Sequence, residues 1–297
     1  MKQKITQFLL ILVISQLMFG CSLPVESFSN DLNKVVMSNN DPQTVMQALP
    51  AYIMLIDGLI ESDPEDEELL VASAKLMNSY AGLLGAKVDL YVEQPEYQQQ
   101  IMKEQQKKLN QKALQRVSRA LCLYDDNFCD LNKIQFTEFK ARLSLVTKDD
   151  VEMIYNFGTS WLSWVQVNSD DWNAKAKLPQ IKLLMEAVVK LDENWQHAGA
   201  HMYLGVLNSL LPETLGGKPE QGKAHFEDAI RLTDGKNLMA KVLFAEYYAR
   251  LVFNKDLHQQ LISEVINSKV SAPGLTLSNT LAKQKAKVLQ LSAADYF

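Results

Sequence analysis

The sequence predicts an all-α protein in which roughly a dozen helices pack as antiparallel pairs. Apolar residues recur at helical spacing in one segment after another, and no segment reads convincingly as a strand. Helix-breaking residues are few, with 12 glycines and 9 prolines in 297 residues. Because 47% of the residues are hydrophobic, a chain of this length can bury a large core.

The start of the chain predicts an export signal followed by a tether. A basic start precedes an apolar run, residues 5–19, which is short for a membrane-spanning helix. The run ends in Gly20-Cys21, which resembles a bacterial lipobox, so residues 1–20 form a lipoprotein signal peptide and Cys21 becomes the lipidated N-terminus. An ordinary signal peptide with a chance cysteine is the alternative. Ser22 resembles an outer-membrane sorting signal, and residues 21–30 are predicted to be the tether.

The charge of the mature chain excludes two classes of partner. Removal of residues 1–20 deletes Lys2 and Lys4 and no acid, which lowers the net charge from -5 to -7. This acidity argues against nucleic acid and against an electrostatic hold on anionic lipid. No other run is expected to be long and uncharged enough to cross a membrane, so the lipid anchor is the one expected membrane contact. The sequence predicts one domain, residues 31–297, that faces the periplasm from the outer membrane.

Capping and breaking residues divide this domain into helices. A buried helix is predicted over 45–60, interrupted or kinked near Pro50. Residues 62–68 combine cap candidates, a proline and acids, which predicts the start of a helix that extends to residue 92. A polar helix from residue 96 reaches Ala120. Further helices are predicted over 131–145, 150–167, 178–191, 238–253, 256–270 and 278–291.

Two cysteines of the predicted domain lie seven residues apart. On one continuous helix the Cα atoms of Cys122 and Cys129 would be about 10.5 Å apart, which is too far for a disulfide. Residues 125–127 between them indicate a helix end, so the chain could fold back. A disulfide and two free thiols both remain open, and no zinc-ligand spacing is present.

Residues 195–232 read as helix, loop and helix, the stretch with the strongest pattern. Ala200, Tyr203, Leu204 and Leu207 form an apolar stripe, and Gly205 within it indicates the close approach of another helix. Residues 212–219 carry two prolines and two glycines that break the helix. The second helix presents Phe226, Ala229 and Leu232 inward. Large residues against small ones on paired helices are typical of a tetratricopeptide-like array.

Catalytic signatures are missing from the sequence, and we predict neither an enzyme nor a cofactor. His197 and His201 have the i, i+4 spacing of a metal pair, and His225 could approach from the next helix. The zinc-protease pattern needs a glutamate where this chain has Ala198. Packing or hydrogen bonding is the alternative role for these histidines, and we predict no metal site.

All four tryptophans fall between residues 161 and 195. Core filling is one interpretation. The other is a cleft between helices for an apolar ligand, with aromatic walls and a few polar tips. The residues of this candidate cleft are Tyr155, Trp161, Trp164, Trp195, His201 and Tyr203.

Several motifs along the chain resemble one known family. They are Leu69-Leu70 with Tyr80-Ala81; Tyr155, Gly158, Trp161 and Trp164-Val165; Leu178-Pro179; Gly199-Ala200-His201, Leu204-Gly205, Pro212 and Gly216-Gly217 with residues 225–229; and Asn279, Leu281-Ala282 and Lys285-Ala286. Nearly the whole mature chain is similar to TatT, the T component that accompanies some tripartite ATP-independent periplasmic (TRAP) transporters. Asn156 departs from the family pattern, where tryptophan is expected.

This resemblance implies a helical periplasmic lipoprotein that is not an enzyme, assembles as a homotrimer and engages the periplasmic substrate-binding P subunit of a TRAP transporter. Two functions follow as hypotheses. In the first, the protein docks the P subunit and shares an apolar ligand with it. In the second, it is an outer-membrane-tethered tetratricopeptide scaffold for envelope complexes without a small ligand. A neighbouring gene for a P subunit would favour the first.

Overall fold

A computed structural model describes residues 25–90 and 95–297 of the chain. The predicted signal peptide and Cys21 lie outside the described residues. Helix α1 (Val25–Ser38) begins within the segment predicted as the tether. The described residues form helices and turns without a strand, which confirms the all-α class.

Twelve longer helices are labelled in chain order, and single turns lie between some of them. They are α1 (Val25–Ser38), α2 (Pro42–Ser62), α3 (Glu67–Leu90), α4 (Glu96–Tyr124), α5 (Phe136–Leu143), α6 (Val151–Val167), α7 (Leu178–Leu191), α8 (Trp195–Asn208), α9 (Pro219–Leu232), α10 (Leu238–Leu243, continued by a π-helix, Phe244–Ala249), α11 (Lys255–Asn267) and α12 (Thr276–Leu291).

Local sequence features mark the starts of α2, α6 and α7. The Asp41 side chain accepts hydrogen bonds from the backbone amides of Gln43 and Thr44 at the start of α2. Before α6, Thr147 and Asp150 form a capping box in which each side chain satisfies a backbone amide of the other. Pro179 lies in the first turn of α7, where its missing N–H has no helical partner to lose.

Three predicted helices differ from the structure. Helix α2 runs through Pro50 without interruption, because its apolar stripe packs against α3 and compensates for the lost hydrogen bond. The helix predicted over 131–145 is shortened to α5. Asp130 has a φ of 56°, and the chain turns before it can form a helix. The helix predicted over 238–253 changes from α to π at Phe244.

Helix α2 also corrects the expectation about membrane spans. In the described part of the chain it is long and apolar enough to cross a membrane by length and composition. One face of α2, which includes Leu49, Ile53 and Ile56, is buried in the core. A core helix passes the same test, so this composition does not require a membrane. The outer face retains two exposed apolar side chains, Met54 and Leu55, which are 75% and 49% exposed.

Cys122 and Cys129 form a disulfide with their Cα atoms 4.2 Å apart. Helix α4 ends at Tyr124, and the Asp125 side chain accepts a hydrogen bond from the Asn127 amide at 2.8 Å. This cap starts a single 3₁₀ turn, Asp126–Phe128, and the turn folds the chain back between the two cysteines.

Most helices pack against the next long helix along the chain, as α2 does against α3 and α8 against α9, whereas the short α5 packs against α7 and leaves α4 in contact with α6. One core extends over α1 to α8, and a second lies among α9 to α12. Helix α12 joins them: Leu277 belongs to the first core, whereas Ala282, Ala286 and Leu289 belong to the second. Contacts of α12 with α1, α2 and α3 bring the last long helix back to the first ones.

Candidate functional site

The six residues of the predicted cleft do not surround one cavity. Trp161 is 1% exposed and lies in the first core, with ring centroids 6.0 Å from Phe139 and 5.4 Å from Phe157. Trp164 is partly buried, and its Nε1 donates a hydrogen bond to Gln111 on α4 at 2.7 Å. Although both are on α6 at i, i+3 spacing, they have different surroundings. Trp195 packs against the first core at the start of α8.

Tyr155 on α6 and Tyr203 on α8 form the one direct pair among these six residues. Their rings are tilted against each other with centroids 6.3 Å apart. Gly199 makes the approach possible, because a Cβ at that position would lie 2.2 Å from the Tyr155 hydroxyl oxygen. The pair therefore depends on a glycine one turn before Tyr203.

Burial keeps both hydroxyls of this pair neutral. It raises the pKa of Tyr155 well above its usual value, and the nearby Tyr203 raises it further. Burial also raises the pKa of Tyr203, although the neighbouring Tyr155 hydroxyl opposes the shift. Both side chains therefore act as hydrogen-bonding groups at any physiological pH and not as proton acceptors.

The first turn of α8 is left-handed, which overturns the i, i+4 relation assumed for His197 and His201. Gln196, His197 and Ala198 have φ values of 48°, 57° and 57°. This turn points the His197 ring at Gly274, where an added Cβ would lie 2.6 Å from the His197 Nε2. The two histidines therefore do not share one helix face, and a metal pair on α8 cannot form as the spacing predicted.

His201 pairs instead with His225 on α9. Their Nδ1 atoms are 3.0 Å apart, so one ring must donate and the other accept. Carboxylate oxygens of Glu193 and Asp228 lie 4.0 Å and 3.9 Å from nitrogens of His201. Burial lowers the pKa of His225 to about 4, and the neighbouring His201 is the second cause of this shift. Burial also lowers the pKa of His201, so the pair is uncharged at neutral pH.

The described residues do not include a group of three or more histidines, cysteines or acids arranged to hold a metal ion. The His201–His225 contact is a hydrogen bond between two helices of the α8–α9 pair. Gly205 allows these two helices to approach closely, because an added Cβ there would lie 2.7 Å from the Phe226 ring. The contact between α8 and α9 is therefore made by side-chain packing and hydrogen bonding.

A cavity of about 920 Å³ lies where helices from the two cores meet. Its wall comes from α1, α3, α4, α6, α8, α10 and α12. Apolar lining residues include Met37, Leu83, Met239, Leu277 and Leu281. Lys103, Lys107 and Lys285 provide positive charge, and Glu104 and Asp170 provide negative charge. Of the six residues predicted from the sequence, Tyr203 alone lines this cavity.

Sequence reasoning missed the rest of this wall for a physical reason. Lys103 and Lys107 belong to a polar segment of α4 that is typical of a solvated helix face. Met239 and Leu281 look like ordinary core positions. Nothing local indicates that α4 and α12 come together, because their approach depends on packing between segments far apart in the chain. The available signal was Gly82 and Gly85, which add no side chain to the α3 side of the wall.

Comparison with known protein families gives a match that covers most of the chain. The family model described as TRAP transporter T-component matches residues 38–297. A search among curated proteins finds no match.

Proposed function

The chain belongs to the TRAP transporter T-component family and is therefore a transporter-associated component; we propose that it docks the periplasmic P subunit of that transporter. The family match over residues 38–297 carries this proposal. In this proposal the protein is a lipid-anchored, non-enzymatic homo-oligomer, with a trimer expected from the family. It shares an apolar ligand with the P subunit.

The outer face of α2 supports self-association. Ala51, Met54, Leu55 and Gly58 are exposed on this face, and none of them carries a charge. Apart from the backbone of its own helix, no atom of the described residues lies within 4 Å of a Cβ built at Gly58, so another helix can approach closely there. Copies with a net charge of -7 repel each other, so an uncharged face is where they can meet without burying charge.

Docking and oligomerisation are tested together on the mature chain with Cys21→Ser. Sedimentation at micromolar concentration should give a mass above that of a monomer, and the protein should retain the P subunit encoded beside its gene. Leu55→Lys should reduce the mass. Leu291→Lys is the matched control, because Leu291 is also highly exposed but lies on α12. A monomer that fails to retain the P subunit would favour the plain envelope scaffold.

The lipid anchor is tested in cells that export the full chain. Cys21→Ser should release the protein into the soluble periplasmic fraction and abolish labelling with a fatty-acid probe, because the acyl chains on this residue are the proposed anchor. Ser22→Ala is the control, and it should change neither the membrane association of the protein nor its labelling with the probe. Membrane association that persists after Cys21→Ser would contradict lipidation at this residue.

A further inference from the structure

We propose that the left-handed turn of residues 196–198 is a latch whose release opens the cavity between the two cores. In the latched state the turn holds the starts of α10 and α12 in place. When the turn relaxes to a right-handed helix, these two helix starts are freed and the cavity widens. The inference concerns access to the cavity, so it goes beyond docking of the P subunit and does not depend on it.

The latched state opposes the preference of its own backbone. Gln196, His197 and Ala198 have φ values of 48°, 57° and 57°, and none of them is a glycine. Each of these residues favours the right-handed region, because a left-handed backbone brings Cβ too close to the carbonyl oxygen. In the right-handed form, α8 would continue from Trp195 without a kink. An unstrained alternative therefore exists, and contacts with the rest of the fold hold the left-handed form.

Two buried polar atoms beside the turn add to this strain. The Nε1 of Trp195 and the Oδ1 of Asn237 are buried, and no group in the described parts of the chain bonds to either atom. Such an atom costs free energy, because it has lost its hydrogen bonds to water. Relaxation of the turn that exposes these atoms recovers those bonds. The latched state is therefore less favoured over the relaxed state than a fully bonded contact would be.

The contacts that hold the turn come from the connections that precede α10 and α12. The backbone oxygen of His197 accepts a hydrogen bond from the Asn237 side chain at 3.3 Å. The His197 ring lies against Gly274, where an added Cβ would be 2.6 Å from the ring Nε2. Gly274 also has a φ of 69°, which glycine adopts without strain. A single residue of the turn therefore contacts both connections.

Asn279 links these two connections to the cavity wall. Its buried side chain donates a hydrogen bond to the backbone oxygen of Val270 at 3.1 Å and accepts one from the Leu238 amide at 3.0 Å. The Val270 bond ties the connection before α12, and the Leu238 bond ties the start of α10. Met239 and Leu277 follow at these two helix starts and line the cavity. The position of the turn is therefore coupled to the position of the wall.

The test measures hydrogen exchange at the Leu238 amide by NMR in the mature chain with Cys21→Ser. This amide exchanges when its bond to Asn279 opens, so its rate reports release of the latch. Gln196→Gly should slow the exchange about tenfold, because glycine adopts a left-handed φ at almost no cost. Gln196→Val should accelerate it, because a β-branched residue fits the left-handed region poorly.

Gln115→Gly is the matched control. Gln115 is exposed in the interior of α4, where glycine lowers the stability of a right-handed helix. The urea midpoint should therefore fall in this variant, whereas exchange at Leu238 should be unchanged because the latch opens without unfolding of α4. The same substitution thus destabilises the protein at position 115 and stabilises the latch at position 196.

A thiol on the cavity wall measures whether release also opens the cavity. Leu277→Cys places it at a buried position that lines the cavity. Cys122 and Cys129 are paired, so the new thiol is the one that reacts with a maleimide. Gln196→Gly should slow this reaction and Gln196→Val should accelerate it.

The two measurements decide separate parts of the proposal. Exchange at Leu238 that is the same in both Gln196 variants, or faster in Gln196→Gly, would overturn the latch. A thiol reaction that does not follow the exchange rate would overturn its control of the cavity. Retention of the P subunit is measured separately, so the docking proposal can fail or hold independently of this one.

Discussion

At the scale of single residues, Trp161 and Trp164 show how far two neighbours on one helix can differ. Trp161 is enclosed by the core, whereas Trp164 is partly exposed and bonded to Gln111. Trp161→Ala should lower the free energy of unfolding by ~3–5 kcal/mol, and Trp164→Ala by about 1–2 kcal/mol because less area is buried. Urea unfolding of both variants measures the difference. Equal losses would mean that Trp164 is also a core residue.

The His201–His225 pair should make stability depend on pH. Burial lowers the pKa of both residues, to about 4 for His225. Unfolded histidines titrate near 6.5, so below that pH the unfolded chain binds more protons than the folded one. Stability should therefore be fully present above pH 6.5 and be lost as the pH falls toward about 4. Asp228 and Glu193 oppose this effect for His201, whereas Arg231 adds to it.

The measurement is urea unfolding at pH 7.5 and pH 5.0 for the wild type and for His225→Gln. Glutamine can still accept a hydrogen bond from His201 but does not titrate. The loss of stability on acidification should be smaller in the variant. Burial also lowers the pKa of His197 and His258, so the difference between the two proteins isolates the pair. An identical loss in both would show that the pair does not govern the response.

At the scale of elements, the contact of α8 with α9 depends on Gly205. An added Cβ would meet three atoms of the buried Phe226 ring at 2.7–2.8 Å. Gly205→Ala should therefore destabilise the protein by about 1–3 kcal/mol, although alanine favours the helix. Gly82→Ala on α3 is the matched control, because outside its own helix backbone no atom of the described residues lies within 4 Å of an added Cβ there. It should be neutral or stabilising by up to about 1 kcal/mol.

Thermal or urea unfolding of Gly205→Ala and Gly82→Ala measures this difference in stability. Adding Phe226→Leu to Gly205→Ala should recover part of the loss by making room for the methyl group. If Gly205→Ala is as stable as Gly82→Ala, the two helices are farther apart than the structure describes.

The same helix pair shows what the sequence can and cannot predict. Gly205 opposite Phe226 follows from a local period and from the size of two residues. The left-handed turn at residues 196–198 does not, because Gln196, His197 and Ala198 have no local preference for it. The cavity wall is still less accessible, since Lys103, Tyr203 and Leu281 meet through packing of distant helices. The sequence therefore predicts which segments form helices, whereas the residues of the cavity wall can be identified only once the packing of those helices is known.

At the scale of the whole molecule, α12 should make the two cores unfold as one unit. All four tryptophans lie between residues 161 and 195, outside the second core. Leu289→Ala in the second core should cost ~2–5 kcal/mol. Because Leu277 of the same helix packs in the first core, the midpoints from tryptophan fluorescence and from far-ultraviolet circular dichroism should fall together.

Leu291→Ala is the control for this experiment. Leu291 is on the same helix but 82% exposed, so its truncation should leave both midpoints unchanged. A fluorescence midpoint that stays at the wild-type value in Leu289→Ala, while circular dichroism shows a second transition, would mean that the cores are independent.

The return of α12 to α1 and α3 also limits how such a protein can change its length. An open helical solenoid gains repeats by duplication, since each new pair needs only one neighbour. Here an extra helix pair after α12 would find its docking face already occupied by the first helices. An extra pair inside the array would separate the two ends that meet. Insertions are therefore expected in connections between helices, such as residues 209–218. The contact of α12 with the first helices keeps the number of helices constant.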